Sequence, residues 1–528
     1  MTTAKTGFVE ATVLWSMLAD RAKASPHQTM LIDEHDRRLT FAETLSAAER
    51  VAAGLLAVGM EPGKTVSWQL PTRIDTIVLS LALSRLGVVQ NPIIPIYRSR
   101  EVGAMVRQCG SDWLITISTF RGYDHAAMAR ELSETMTGEL RILIIDGDLP
   151  VGDPSTLPPP PDSGDQVRWI YTTSGTTSAP KGVCHTDASL IAGGVGLAAA
   201  VDVQVDDVGT ILFPYAHIGG PDILVKALFA GIPIVLMEAF DPERAVPLLR
   251  RNGATLSGGG TTFYLMFLQE QRKNPGQAMV PSLRALVGGG ASMPEYVFHQ
   301  VSEEIGIPVL HGYGMTECPM ITQGSPGDGS ERLASTVGRP VRGCKVQIRG
   351  DDGAPVATAV QGQVWVRGPM VFSHYLVDGE VVDPRENGWF ATGDLGYLRP
   401  DNHLVLVGRS KDLIIRKGES ISPMEIEEVI SQHPSVADAA VIGLADAARG
   451  ERICAVLQLH EGAAAPTAGE LRSYCITHGL APFKAPEQVG VVEALPKTPT
   501  MKIRKQDLRN LFADPAALSG PEKSTTHG

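Results

Sequence analysis

The sequence has no excess of positive charge, and this limits the partners that the chain can bind. Its 528 residues include 46 lysines and arginines against 58 aspartates and glutamates, which leaves a net charge of −12. Nucleic acids attract positive protein surfaces, so a chain this acidic is a poor general binder of nucleic acid. A local basic pocket is compatible with this balance, and we expect small-molecule partners and no nucleic acid.

Long apolar runs are also absent. No stretch approaches the roughly 18 consecutive apolar residues of a membrane-spanning helix, and the N-terminal residues lack the apolar core and the small-residue cleavage site of a signal peptide. We therefore expect no transmembrane segment and a cytoplasmic location. The densest apolar stretch, residues 77–83, is followed by Arg85 and Gly87, which predicts a buried helix.

Closely spaced cysteine pairs are missing as well. The six cysteines are scattered along the chain, and no two of them form a Cys-x-x-Cys motif. Without a secretory signal, an even number of cysteines does not indicate disulfides, and we expect reduced thiols. The same scatter leaves no clustered set of zinc ligands.

The chain does contain an alternation of short apolar runs with longer amphipathic stretches, which is typical of an α/β fold with parallel strands. Thr40 and Glu43 form a capping-box pattern at the start of one predicted helix. Residues 65–70 and 73–86 are predicted as a strand and a helix. The Pro-rich stretch 145–166 indicates an extended surface loop, with a domain linker as the alternative.

Strand-like pieces dominate residues 343–410, and the residues after them have the pattern of a small α+β unit. This change of pattern places the main domain boundary near residue 409. We expect an N-terminal domain over residues 1–409 and a C-terminal domain over residues 410–528.

A loop rich in hydroxyl groups and glycine follows an apolar segment at residues 171–182, where the sequence is Y-T-T-S-G-T-T-S-A-P-K-G. Hydroxyl and backbone N–H groups bind phosphate oxygens, glycine lets the backbone approach closely, and Lys181 adds a positive charge. The loop is not a Walker A motif, because G-x-x-x-x-G-K-[ST] is absent. We interpret it as a phosphate-binding loop, and a polar surface turn is the alternative.

This loop resembles the signature of the AMP-forming adenylating superfamily, which contains acyl- and aryl-CoA synthetases, peptide-synthetase adenylation domains and luciferases. Four further motifs resemble that family in the same order, and they are Y-G-M-T-E at 313–317, T-G-D at 392–394, G-R-S-K-D at 408–412 and P-K-T-P-T-M-K at 496–502. The resemblance covers nearly the whole chain. It implies a large N-terminal adenylating domain, made of βαβ subdomains and a small β-barrel-like subdomain, and a small mobile α+β C-terminal domain.

The resemblance implies roles for individual residues around ATP and Mg²⁺. Lys502 would be catalytic by placing positive charge at the α-phosphate, and a solvated lysine among neighbouring cations is the alternative. Glu317 and Thr176 would take part in catalysis by holding Mg²⁺, and a surface glutamate is the alternative for Glu317. The other predicted nucleotide contacts are Thr173, Ser174, Gly175, Thr177 and Lys181 in the loop, then Gly289, Gly290, Ala291, Tyr313, Gly314 and Thr316, and finally Asp394, Arg409 and Lys411.

The resemblance also implies a pocket for a carboxylic acid. His217 would be a catalytic residue on the route between the acid and a thiol, and a packed histidine is the alternative. The segment around His217 has no aspartate before Asp222, which disfavours amino-acid substrates, and Gly258–Gly260 leave room for a bulky acid. The other predicted acid contacts are Ile218, Gly219, Gly259, Gly288, Gly289 and Gly314. Residues 91–101 resemble the fatty-acid and cyclohexanecarboxylate CoA ligase subgroup.

Three positions depart from the family pattern. Ser178 and Met501 stand where glycine is usual, and Ser420 stands where asparagine is commoner. None of these changes removes a charge or a ligand, so the pattern still predicts an active enzyme.

We therefore expect an ATP-dependent acid–CoA ligase that adenylates a hydrophobic carboxylic acid, fatty or ring-bearing, and passes the acyl group to coenzyme A. One alternative is an acyl-AMP ligase that loads the phosphopantetheine of a carrier protein. The short step from Asp394 to Gly408 and the lack of a carrier domain after residue 528 make it less favoured. A non-catalytic binder is the other alternative, and the retained charged residues of the motifs argue against it. A homodimer is left open.

Overall fold

The computed structural model describes residues 7–136, 138–173, 180–446, 448–498 and 502–513. The helices are α1 Leu14–Ala24, α2 Phe41–Ala57, α3 Ile74–Leu86, α4 Ser99–Cys109, α5 His125–Thr135, α6 Asp187–Ala200, α7 Gly219–Ala230, α8 Pro242–Arg251, α9 Thr261–Lys273, α10 Glu295–Ile305, α11 Ser330–Ser335, α12 Pro423–Ile430, α13 Ala468–Thr477 and α14 Lys505–Phe512. The strands are β1 Thr29–Ile32, β2 Arg38–Thr40, β3 Thr65–Gln69, β4 Val89–Pro92, β5 Trp113–Thr116, β6 Thr119–Phe120, β7 Tyr123–Asp124, β8 Arg141–Ile144, β9 Val167–Thr173, β10 Lys181–Thr186, β11 Gly209–Ile211, β12 Ile234–Leu236, β13 Leu256–Ser257, β14 Ala285–Gly289, β15 Val309–Met315, β16 Cys318–Gln323, β17 Arg339–Pro340, β18 Lys345–Arg349, β19 Gly362–Arg367, β20 His374–Val377, β21 Glu380–Val382, β22 Phe390–Leu398, β23 Leu404–Arg409, β24 Ile414–Arg416, β25 Glu419–Ile421, β26 Val436–Asp446, β27 Gly450–Leu459 and β28 Gln488–Val491.

Local sequence explains where the predicted elements begin and end. The predicted capping box opens α2, because the Glu43 N–H donates to Thr40 Oγ1 at 3.2 Å and the Thr40 N–H donates to the Glu43 carboxylate at 2.8 Å. Helix α3 is buried along almost its whole length and ends at Gly87, whose φ of 71° suits glycine. The predicted strand, the predicted buried helix and the predicted loop at 145–166 are confirmed, apart from a short 3₁₀ turn at Pro154–Thr156.

The chain forms two compact units. The first takes in the described residues up to Val346 together with Val366–Phe390 and Asn402–Leu404. The second takes in Gln347–Trp365, Ala391–Asp401 and the described residues from Val405 onward. The boundary near residue 409 stays a prediction.

The first unit contains the parallel sheets that the sequence predicts. Its largest sheet has the strand order β21-β20-β10-β9-β4-β3-β5-β8, in which β9, β4, β3, β5 and β8 are parallel. A second sheet has the order β13-β14-β15-β16-β17, with its first three strands parallel. A third has the order β11-β12-β1-β2. Helices connect most of the parallel strands, so loops with predicted site residues follow the carboxyl ends of strands.

The second unit combines short helices with antiparallel strands. One sheet has the order β25-β24-β27-β26, and β28 pairs with β27 in parallel. Its core includes Ile426 and Ile430 of α12, Val441 of β26 and Leu471 of α13, all fully or almost fully buried. The strands β18, β19, β22 and β23 form a four-stranded sheet built mainly from this unit, in the region where the sequence predicts strands.

The six cysteines are all buried free thiols. Over the part of the chain that the structure describes, no helix combines the length and the apolar character needed to cross a membrane. Across the same ranges, no three histidine, cysteine, aspartate or glutamate side chains gather as a metal-binding group.

Candidate active site

A wall made of backbone lies where β13 and β14 end, beside the middle of β15. The Gly289 N–H donates to the Gly259 carbonyl at 3.0 Å. A Cβ added at Gly288 would lie 1.4 Å from the Gly259 oxygen, and one added at Gly289 would lie 2.4 Å from the Gly312 oxygen. No side chain fits at these positions, because neighbouring backbone already fills the space that a Cβ would take.

Two buried aromatic side chains support this wall from behind. His311 pairs with Gly288 in the β14–β15 register, and its Nε2 donates to the Ala291 carbonyl at 2.9 Å. Burial lowers the pKa of His311 to about 4, so the ring is neutral and carries its proton on Nε2. The Tyr264 hydroxyl lies 3.5 Å from His311 Nδ1 and is fully buried. The segment ending at Ala291 is therefore fixed by hydrogen bonds.

The turn between β15 and β16 carries Glu317 and is held from two strands. The Tyr375 hydroxyl on β20 donates to Glu317 Oε1 at 2.7 Å, and the Phe372 N–H donates to the Glu317 carbonyl at 2.8 Å. His185 on β10 donates from Nε2 to the Thr316 carbonyl at 2.7 Å. Burial lowers the pKa of His185 to about 4, so this ring is also neutral. The carboxylate of Glu317 is thereby set in place before any ligand arrives.

Lys181 begins β10, directly after the predicted phosphate-binding loop. It pairs with Thr173 across the antiparallel β9–β10 ladder, and its Nζ lies 5.2 Å from the centroid of the Tyr375 ring. The predicted site residues Ser174, Gly175, Thr176 and Thr177, and the variant position Ser178, lie outside the described residues. The second metal ligand that the sequence predicts, Thr176, therefore has no structural account here.

The segment predicted to border the acid forms the entry to α7. The Gly219 N–H donates to His217 Nδ1 at 3.2 Å, which places the proton of a neutral His217 on Nε2. Ile218 precedes the helix and is buried. Asp222 lies in the first turn of α7 and is buried, and burial raises its carboxyl pKa well above the usual value. Burial thus disfavours the anionic form of Asp222, which is the form that a substrate ammonium would need.

In the second unit, the predicted ribose and phosphate residues pair with each other. Arg409 Nε lies 3.1 Å from Asp394 Oδ1, and Asp394 is almost fully buried while Arg409 is exposed. The Asp394 N–H donates to Thr392 Oγ1 at 3.1 Å, and the T-G-D motif lies within β22, where Gly393 has a φ of 78°. The pair presents hydrogen-bonding groups of both charges at one place.

Lys411 and Lys502 lie on two further segments of this unit. Lys411 is exposed in the 3₁₀ turn Ser410–Asp412. The Lys502 N–H donates to Thr498 Oγ1 at 3.1 Å, and its carbonyl accepts from the Thr498 N–H at 2.7 Å. The neighbouring cations each pair with a carboxylate, which is Asp438 for Lys497, Asp507 for Arg504 and Glu427 for Lys505. Met501 lies outside the described residues.

The sequence missed four supporting side chains of the first unit, and these are His185, Tyr264, His311 and Tyr375. Each belongs to a strand or helix of ordinary pattern, outside the motif residues. Their signal is weak, because a histidine four residues after Lys181 or a tyrosine on an edge-proximal strand has no characteristic spacing. Tyr313 and Gly314 lie on β15 as part of the motif, and Tyr313 is largely buried.

Two regions of the chain match models of known protein families. Residues 18–376 match the AMP-binding enzyme family, and residues 425–502 match the AMP-binding enzyme C-terminal domain.

Curated relatives extend over nearly the full chain. The 2-succinylbenzoate–CoA ligase of Bacillus subtilis (strain 168) is 31% identical over 497 residues, covering 93% of this chain and 97% of that protein. The salicyl-AMP ligase / salicyl-S-ArCP synthetase of Mycobacterium tuberculosis (strain ATCC 25618 / H37Rv) is 30% identical over 522 residues, covering 95% and 91%.

A solved structure shares the fold. The O-succinylbenzoate coenzyme A synthetase (MenE) from Bacillus subtilis, in complex with ATP and magnesium ion, has a TM-score of 0.82 and 30% identity, and the match covers 94% of this chain and 99% of that chain. The likeness confirms the α/β fold with a large N-terminal and a small C-terminal domain that the sequence predicts.

Proposed function

This chain belongs to the AMP-binding enzyme family of adenylate-forming ligases, and from that premise we propose that it is an ATP-dependent acid–CoA ligase. It converts a hydrophobic carboxylic acid, fatty or ring-bearing, into an acyl-adenylate with release of pyrophosphate. It then passes the acyl group to coenzyme A and releases AMP.

The observation that carries this proposal is the prearranged pair of charges in the first unit. Glu317 accepts from the Tyr375 hydroxyl at 2.7 Å, and the Lys181 ammonium lies over the same ring at 5.2 Å from its centroid. A carboxylate suits Mg²⁺, and an ammonium suits a phosphate. MgATP presents both partners together, and the related synthetase is solved with ATP and magnesium ion.

In the first half-reaction, a carboxylate oxygen of the acid attacks the α-phosphorus of ATP, and the bond to pyrophosphate breaks. We assign Lys502 to the developing negative charge at the α-phosphate. A unit charge pair at about 4 Å and an effective dielectric constant near 20 is worth roughly 4 kcal/mol, which is about three decades in rate. Bound Mg²⁺ supplies further positive charge to the phosphates, and Glu317 is the protein group that would hold it. Asp394 and Arg409 are assigned to the ribose.

In the second half-reaction, the sulfur of coenzyme A attacks the acyl carbon, and the bond between that carbon and the AMP oxygen breaks. The glycine wall around Gly288 and Gly289 presents backbone without side chains, and we assign this backbone to the border of the acyl group. We assign His217 to the route by which the thiol arrives. The family resemblance further implies a domain boundary after Arg409 and a pivot at Lys411, which we propose for this chain.

The acid is proposed to be apolar, and this part of the proposal has its own test. The entry to α7 contains His217, and burial of Asp222 raises its carboxyl pKa and so disfavours the anion that a buried substrate ammonium would need. Purified enzyme should release pyrophosphate faster with apolar acids than with any proteinogenic amino acid. A preference for an amino acid would overturn this assignment.

An acyl-AMP ligase that serves a carrier protein is the second candidate, because one relative carries the name salicyl-S-ArCP synthetase. The deciding experiment measures pyrophosphate release over a panel of acids, with and without coenzyme A, and identifies the products by mass. The proposed function predicts acyl-CoA and AMP. Accumulated acyl-adenylate that does not react with coenzyme A would favour the carrier-protein candidate, and no pyrophosphate release with any acid would argue for a non-catalytic binder.

A further inference from the structure

Tyr375 stands between the two charged residues on which the proposed function depends. It lies in the middle of β20, which pairs antiparallel with β10 in the register Val183↔Tyr375 and Gly182↔Leu376. Lys181 is two residues before Val183, so Lys181 and Tyr375 are diagonal neighbours on one face of the sheet. This register explains why the Lys181 ammonium lies 5.2 Å from the centroid of the tyrosine ring.

The hydroxyl end of the same side chain meets the other charge. It donates to Glu317 Oε1 at 2.7 Å, a distance typical of an O–H donor on a carboxylate. The backbone of this turn is held separately, by the Phe372 N–H on the Glu317 carbonyl and by His185 on the Thr316 carbonyl. The Tyr375 hydroxyl is thus the contact that fixes the rotation of the carboxylate, while the backbone contacts fix the turn.

We propose that Tyr375 is a positioning residue that sets Glu317 for the metal ion of MgATP and Lys181 for its phosphates. The inference rests on the proposed function, since it takes Glu317 as the metal-holding group. Groups that hold a metal ligand in orientation typically contribute tenfold to a hundredfold to metal affinity or activity. Packing alone does not require the hydroxyl, because phenylalanine fills nearly the same volume.

The hydroxyl of Tyr375 can be removed alone or together with the aromatic ring. Tyr375→Phe keeps the ring beneath Lys181 and removes the donor to Glu317. Tyr375→Leu removes both. Tyr123→Phe is the matched control, because Tyr123 also lies in a strand and carries a cation over its ring, with Arg98 Cζ 4.1 Å from the centroid.

The readout is equilibrium binding of ATP to the full chain by calorimetry, once with Mg²⁺ and once in excess chelator. For wild type, Mg²⁺ should tighten ATP binding. In Tyr375→Phe the gain from Mg²⁺ should shrink about tenfold, with metal-free ATP affinity within about twofold of wild type. Tyr375→Leu should in addition weaken metal-free binding by about threefold, the scale of one exposed cation–π contact. Tyr123→Phe should match wild type in both titrations.

A structural defect would lower ATP affinity equally with and without Mg²⁺, and that result in Tyr375→Phe would overturn the inference. An unchanged Mg²⁺ gain in Tyr375→Phe, beside a clear gain in wild type, would overturn it while leaving the proposed function intact. Wild-type protein whose ATP binding does not respond to Mg²⁺ would overturn both. Thermal unfolding of each variant establishes that it is folded before the titrations are compared.

Discussion

The turn that carries Glu317 and the segment that carries Lys411 are built in opposite ways. The Glu317 turn is part-buried, and three donors fix its backbone and its carboxylate, which are His185 on β10, Tyr375 on β20 and the Phe372 N–H just before β20. The segment Gly408–Asp412 is tied by side chains, through Arg409 to Asp394, through the Ser410 hydroxyl to the Gly393 carbonyl and through Asp412 to Arg509, and Lys411 within it is exposed. Rigid support suits Glu317, because a carboxylate that binds a cation works best when it is already oriented. An exposed turn suits Lys411, because a pivot must change its backbone angles.

Lys502→Ala should give the largest effect, and it tests whether the second unit supplies charge to adenylation. The lysine is needed while the α-phosphate is attacked, so pyrophosphate release should fall by about two to four decades. Supplied with preformed acyl-adenylate, the variant should still make acyl-CoA. Arg504→Ala is the control, because this exposed cation two residues away pairs with Asp507 at 2.9 Å. Equal loss of both half-reactions would refute the assignment of Lys502.

Lys411→Pro tests whether the backbone angles at Lys411 must change between the two half-reactions. Proline fixes φ near −65°, so a residue that changes its backbone angles between half-reactions would be locked in one state. We expect near-normal pyrophosphate release in a single turnover and a loss of acyl-CoA formation of about a hundredfold, the scale of a misplaced reacting group. Lys411→Ala removes the side chain and leaves the backbone free, so it should keep the wild-type ratio of the two half-reaction rates. If the proline leaves the ratio of the two rates unchanged, Lys411 is a surface lysine and no pivot.

Gly288→Ala tests whether the glycine wall in the first unit is as closely packed as its contacts indicate. The added Cβ would lie 1.4 Å from the Gly259 oxygen and 2.6 Å from the Tyr264 hydroxyl, so β13 and β14 would have to separate. Overpacking of this kind costs about 1–3 kcal/mol, which thermal unfolding would report as a lower midpoint, together with slower pyrophosphate release.

The control for this substitution is Gly327→Ala. Nothing lies within 4 Å of a Cβ at Gly327, and its φ lies outside the left-handed region. Its midpoint and its rate should match those of wild type. A Gly288→Ala variant that also matched wild type would mean that the glycine wall tolerates side chains, against the close approach seen here.

The motifs predict which residues form the site, and those roles stay predictions, whereas local patterns predicted the elements that carry them. The capping box of α2 and the strand β3 depend on neighbouring residues, so the sequence contains their cause. Tyr375 and His185 depend on a register between β10 and β20 and on a turn that lies far away in sequence. Such contacts depend on how distant segments pair in the folded protein, and local sequence patterns do not contain that information.

The smallest predicted effect is a loss of folding stability at low pH. It should begin at a higher pH for groups of the first unit than for those of the second. Burial lowers the pKa of His311 from 6.5 to about 4, so the unfolded chain binds a proton between these values and the folded chain does not. Stability from this group is therefore full above pH 6.5 and falls as the pH drops towards 4, by about 2 kcal/mol at pH 5. In the second unit, carboxylates such as Glu487 have a lowered pKa and lose their contribution only at lower pH.

Because burial raises the pKa of Asp222 and Asp187 and so acts with the opposite sign, the quantity to measure is a difference between proteins. His311→Gln replaces the ring with a neutral amide, which can donate a hydrogen bond and does not titrate between pH 4 and pH 7. Between pH 7 and pH 5, wild type should lose about 2 kcal/mol more unfolding free energy than His311→Gln. Parallel pH profiles for the two proteins would show that the histidine behind the glycine wall titrates normally, and the rigid support assigned to this wall would then need another source.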